Sequence, residues 1–282
     1  MTALTNDKTD QHNWDETSPL SPAAQRQHLI RSFIAADPEA TPAAEPIAPS
    51  PEQIATILAP WRPQRLRRIA AKHGAVLRPE GEFYFLRTHY AGGAADDARL
   101  RAWLDLDECQ GVALPRADEW WVVLDDAELF TQPDGAWMAV YDVFPELAAP
   151  RTGRLLLGND SSSMMESIRD RVGWMLSEDE PVEEEHWAEA VRETLSIFGN
   201  NLLIVDQRAF ETGELGLVFR DAKGNVIRHG RIKPDQLNEM VVDDSRGALS
   251  ESGFWLDTEV GEKYRLEGEI VRDIVRLAKE GS

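Results

Sequence analysis

Three apolar runs between residues 202 and 233, separated by turn residues, form the clearest pattern in the chain. Leu202, Leu203, Ile204 and Val205 make a run too short for a helix and rich in branched residues, the composition of a buried strand. Leu215, Leu217 and Phe219 then alternate with Gly216, Val218 and Arg220, the two-residue period of a strand with one face inward. Between this strand and the next lies Asp221-Ala222-Lys223-Gly224-Asn225. Its Asp can bond its own turn and its Gly can turn left-handed, which predicts a type I turn closed by a G1 bulge. Val226–Ile232 then returns antiparallel.

Helical periods surround these strands. Ser50-Pro51-Glu52-Gln53 combines an N-cap serine, a proline at the first helical position and a glutamine three residues after the cap, a helix start whose inward face is Ile54, Ile57 and Leu58. A second segment runs from Gln64 to Lys72, and Asp96 and Asp97 open a short helix through Leu104. Met164, Ile168, Val172 and Met175 fall on one face, as do Trp187, Val191, Leu195 and Phe198. A closing helix over 267–279 turns Ile270, Ile274 and Leu277 inward, and Lys233-Pro234 starts a short one.

Two further hairpin partners and an edge strand complete the expected sheets. Residues 82–90 alternate as a strand, Trp120–Leu124 reads as a buried strand, and Ala136–Phe144 reads as its antiparallel partner across Gln132-Pro133-Asp134-Gly135. Phe254–Leu256 is the expected edge. The sum is an α+β fold of small antiparallel sheets packed with amphipathic helices, preceded by a disordered N-terminal tail. The tail covers 1–49, where prolines and alanines crowd 35–49 and a short amphipathic helix over 23–36 interrupts the polar sequence. That helix either docks on a partner or packs on its own domain. The remainder divides into an N-terminal half, 50–150, and a C-terminal half, 151–282.

At 282 residues and 42% hydrophobic content the chain has a sizeable core. A single cysteine, Cys109, excludes an internal disulfide and a cysteine-built zinc site, and residues 1–15 hold no apolar leader, so a cytoplasmic setting is expected. No run of about eighteen apolar residues suggests a membrane span. The formal charge of −20 disfavours direct nucleic-acid binding and attracts a basic protein partner.

Candidate chemistry is sparse. Leu157–Ser163 has the form of a strand, polar turn and helix start, which would suit a hydrolase or transferase nucleophile among Ser161, Ser162 and Ser163 with His89 or His229 as base. The turn lacks the glycine spacing of a phosphate loop or a nucleophile elbow. Glu183 and His186 have half the spacing of a helical metal pair, but no second pair exists, so neither metal nor cofactor is expected. Cationic positions Arg65, Arg68, Arg228 and Arg231 are candidate anion contacts, with Arg228 and Arg231 on opposite faces of their strand. Trp120, Trp121, Asp125 and Asp126 are the candidate partner-binding surface. The sequence therefore points to a non-enzymatic protein-binding protein, such as an inhibitor, immunity factor, chaperone or adaptor. A mimic of nucleic-acid charge is a further reading, opposed by the basic stretches at 62–78 and 220–233.

Overall fold

The computed structural model describes residues 14–15, 17–35, 49–73, 83–104, 121–131, 136–148, 161–176, 181–198, 200–221, 223–237, 239–240, 254 and 258–280. Its backbone divides into two compact units, residues 1–75 with 140–149, and residues 76–139 with 150–282. This division interleaves the chain rather than cutting it at residue 150.

The first unit is helical. Helix α1 (Pro22–Ala35) buries Leu29, Ile30 and Phe33 against Ile54 and Leu58 of α2 (Pro51–Leu58). The amphipathic insert in the expected tail is thus part of this unit's own core; residues 1–13 and 36–48 lie outside the described residues. The start of α2 follows from its sequence: Ser50 accepts from the Gln53 N–H and the Gln53 side chain accepts from the Ser50 N–H, a complete capping box ahead of Pro51. A single 3-10 turn leads to α3 (Gln64–His73). Just before α3, buried Arg62 donates through both terminal nitrogens to the two carboxylate oxygens of buried Glu146, each at 2.7 Å, and through Nε to the Val143 carbonyl. That fork joins residues 140–149 to the helices despite their distance in sequence.

The second unit is built on one mixed sheet in the order β2-β1-β3-β4-β5-β6. Its strands are β1 (Phe83–Arg87), β2 (Trp121–Leu124), β3 (Asn200–Val205), β4 (Leu215–Arg220), β5 (Val226–Ile232) and β6 (Glu259–Val260). β3, β4 and β5 form the expected antiparallel meander. At the β4–β5 turn Asp221 Oδ1 accepts from the Lys223 and Asn225 N–H groups, Gly224 sits at φ 76°, and the register slips beside Arg220. β4 is buried on both faces because it is an interior strand, where its alternation had suggested one.

The sheet is not purely antiparallel. β1 lies between β2 and β3 and runs parallel to both, with Phe83 opposite Trp121 and Tyr84 opposite Leu202. The expected hairpin between Trp120–Leu124 and Ala136–Phe144 is therefore absent: β2 pairs with β1, and 137–147 folds as short helical turns. The reason is local. Asp126 accepts from the Glu128 and Leu129 N–H groups and winds the chain into a helical turn right after β2, while helix α4 (Ala94–Leu104) supplies the crossover that a parallel β1–β2 pair requires.

Helices α5 (Ser161–Met175), α6 (Glu184–Phe198) and α8 (Glu269–Glu280) share one core with the sheet through Ile168, Val172, Ala188, Val191, Val271 and Val275. A short α7 (Gln207–Thr212) follows β3. α8 buries Val271, Val275 and Ala278 and exposes Leu277, so its inward face is rotated from the expected Ile270-Ile274-Leu277 stripe. The described edge strand beside β5 is β6, and of the expected edge at Phe254–Leu256 only Phe254 lies within the described residues.

Candidate functional site

In a sheet with parallel strands, loops at the carboxyl ends gather side chains from different parts of the chain. Here the ends of β1, β2 and β3 bring together Arg87, His89, Tyr90, Asp97, Asp125, Asp126 and Asp206.

Arg87 is the hub. It follows the inward-facing Phe83 and Phe85 on β1 and its side chain is 4% exposed. A buried guanidinium needs carboxylates, and Nη1 donates to Asp97 Oδ1 at 2.6 Å and lies 3.8 Å from Asp125. Nε donates to the His89 carbonyl at 2.9 Å. The guanidinium also covers the Tyr90 ring at 4.5 Å and the Phe210 ring at 5.6 Å. Tyr90 in turn donates its hydroxyl to the Arg87 carbonyl at 3.0 Å and accepts from the Asp126 N–H at 2.9 Å. Burial first, and then the Asp125 charge, push the Tyr90 phenol well above the usual tyrosine range, so it stays protonated and is no base at neutral pH. Phe210 stacks on Trp103 at 5.4 Å, and Arg99 donates to the Phe210 carbonyl.

Asp206 caps α7 by accepting from the Ala209 N–H at 2.8 Å and receives both terminal nitrogens of Arg231, at 2.8 and 2.5 Å. Burial acts to raise its pKa, but the Arg231 and Ala209 hydrogen bonds and the Arg231 charge outweigh that and hold it below the usual carboxylate range. A second network lies between α6 and β5. Arg228 donates to both oxygens of Glu189, at 2.6 and 2.5 Å. Arg192 reaches Glu189, Glu185 and the Tyr264 carbonyl. Tyr264 donates to Asp221 at 2.7 Å and, chiefly through burial, is also held protonated.

Of the candidate partner-binding residues, Asp125 stands on the Arg87 rim and Asp126 is spent on its helix cap. Trp121 is a correction: it is buried, edge-on to Phe85 at a centroid distance of 5.0 Å, because β2 turns it into the core. Trp120 lies outside the described residues. Arg65 and Arg68 are exposed on α3 of the first unit, whereas Arg228 and Arg231 meet Glu189 and Asp206 in the second. The register places Arg228 and Arg231 on opposite faces, as their spacing predicts. His89 is half-buried with its ring 5.9 Å from Phe210, His229 is exposed 3.9 Å from Glu259, and the His186 ring accepts from the Glu183 N–H. Residues 157–160 and the side chains of Ser161–Ser163 lie outside the described residues.

Sequence reasoning missed Arg87 as a hub, although an arginine in the inward register of Phe83 and Phe85 is itself a sign that acids must lie nearby. In the first unit, a cleft of about 510 Å³ opens between α2 and α3, walled by Ala55, Ala59, Ala70 and Ala71 and reaching the Arg62–Glu146 pair. Among the described residues no group of three or more His, Cys, Asp or Glu is placed to hold a metal, and no helix is long and apolar enough to cross a membrane. No family model, no curated protein and no solved structure matches the chain.

Proposed function

We propose that this chain is a non-enzymatic cytoplasmic protein-binding protein that presents an acidic surface to a basic protein partner. One observation carries the reading: the buried arginines Arg87, Arg192 and Arg228, and half-buried Arg231, are each met by carboxylates of the same unit. The first unit's acids and bases nearly balance, so almost all of the −20 charge belongs to the second. With those cations clasped inside, its surplus carboxylates are left for the exterior, where they attract a basic surface and repel a phosphate backbone. The strand-end cluster supports binding over catalysis. Its arginine, phenol and capping aspartate have their hydrogen bonds made internally, and Asp97 and Asp125, 49% and 33% exposed, are anchored from beneath as a fixed acidic rim.

The test is capture of host proteins on the tagged chain at low and high salt, followed by purification of any stoichiometric basic protein and measurement of its affinity. The reading expects an affinity that falls steeply with salt and weakens in Asp97→Lys/Asp125→Lys. Capture of no stoichiometric partner at either salt overturns it.

A further inference from the structure

Helix α5 carries a solvent-facing stripe. Its inward face is Met165, Ile168 and Val172, so the opposite side holds Glu166, Asp170 and Trp174, spaced four residues apart. All three are exposed, and Trp174 is 82% exposed, the most open of the large hydrophobic side chains described. An indole so open to water contributes nothing to the core; aromatic groups of this kind anchor protein interfaces. The helix's own arginines are turned elsewhere: Arg169 donates to the Ala278 carbonyl at 2.9 Å and Arg171 pairs with Glu193 at 3.3 Å. The stripe thus offers two carboxylates and an aromatic face along about 12 Å of helix.

The same unit shows what such a surface holds. Lys279 of α8 places its ammonium over the Trp187 ring at 5.5 Å while bonding Glu184 at 2.5 Å, a carboxylate and an indole closing on one cation.

We infer that the Glu166-Asp170-Trp174 stripe is the contact surface for a basic helical segment of a partner protein, whose arginines or lysines repeat once per turn. One cation packs on the Trp174 face and its neighbours pair with Asp170 and Glu166. The inference rests on the acidic-surface reading above and adds to it a second contact on the same unit.

The probe is a fluorescently labelled, alanine-based helical peptide with arginine at every fourth position, titrated with the full chain and read by anisotropy. Wild type is expected to bind with strong salt dependence, and Trp174→Ala and Glu166→Lys/Asp170→Lys each to bind about tenfold or more weakly. The charge-matched control Glu239→Lys/Glu267→Lys, at exposed positions off the stripe, is expected to bind like wild type. Circular dichroism verifies that each variant is folded. Equal binding by Trp174→Ala, equal weakening by the control, or no binding by wild type overturns the stripe. The acidic-surface reading falls separately, only if the host-protein capture also fails.

Discussion

Arg228 on β5 and Arg192 on α6 both rest on Glu189, whose Oε2 lies 2.5 Å from one guanidinium and 2.6 Å from the other. One carboxylate is therefore shared by two arginines that are 10% and 3% exposed, with Glu185 supplying the second negative charge to Arg192. Glu189→Ala leaves both cations short of a partner and is expected to cost about 3 kcal/mol, the magnitude found when one member of a buried pair is removed. Urea denaturation measures it, and Glu189→Ala/Arg228→Met should regain part of the loss. A single-variant loss below about 1 kcal/mol would mean that Glu185 alone can carry Arg192.

Asp206 contributes to the acid side of the stability profile. Its folded form holds the proton less tightly than the unfolded chain does, so the Arg231 pair stabilises fully above the ordinary value of 3.8 and is lost as pH falls through the depressed folded value. Asp206→Asn should lower stability at neutral pH and flatten the fall below pH 4 in a series of thermal melts. An unchanged acid limb would show that the pair is as strong in the unfolded chain.

Tyr90 and Tyr264 give the opposite sign. Each binds its proton more tightly when folded, so their contribution is intact below the ordinary value of 10.0 and declines as pH rises beyond it. Both phenols are expected to ionise only as the chain unfolds. Ultraviolet titration of Tyr90→Phe and Tyr264→Phe assigns them: each substitution should remove one late-titrating phenol. Ionisation near pH 10 in the folded chain would contradict the buried geometry.

Gly224 closes the β4–β5 turn at φ 76°, a conformation that costs a residue bearing Cβ about 1 kcal/mol. Gly224→Ala should lower stability by about that amount, and Gly224→Asn by less, because asparagine tolerates the left-handed region. Equilibrium denaturation compares the two; equal stability of all three would mean the turn relaxes.

Much of this fold could be read from local pattern. The Ser50 capping box, the Asp221–Asn225 turn and the β3–β5 meander are all set by residues close in sequence, so short-range chemistry is enough to reveal them. The β1–β2 pairing was not legible, because parallel strands leave no turn signature and Trp121–Leu124 reads the same whichever neighbour it bonds. The α8 face was misjudged for a related reason. Ile270, Ile274 and Leu277 form as good a stripe as Val271, Val275 and Ala278, and only tertiary packing chooses between them. The strand-end cluster was partly visible: Asp97 stood out at a helix start and Asp125 as a candidate partner contact, but the hub that joins them depends on strands far apart in sequence. Trp121 shows the converse error, since an aromatic beside acids looks like a surface anchor until strand register turns it inward.

The position of β1 also sets the length of the loops that folding must close. Phe83 must find Trp121 on one side and Tyr84 must find Leu202 on the other, whereas β3, β4 and β5 meet through short turns. Closing the longer loops is entropically slower, so the meander can form first and present its β3 edge as the template on which β1 settles. On a ribosome, the strand made first would wait for Leu202 to emerge before its second edge is covered, so that edge stays open while the 115 residues from 88 to 202 are made.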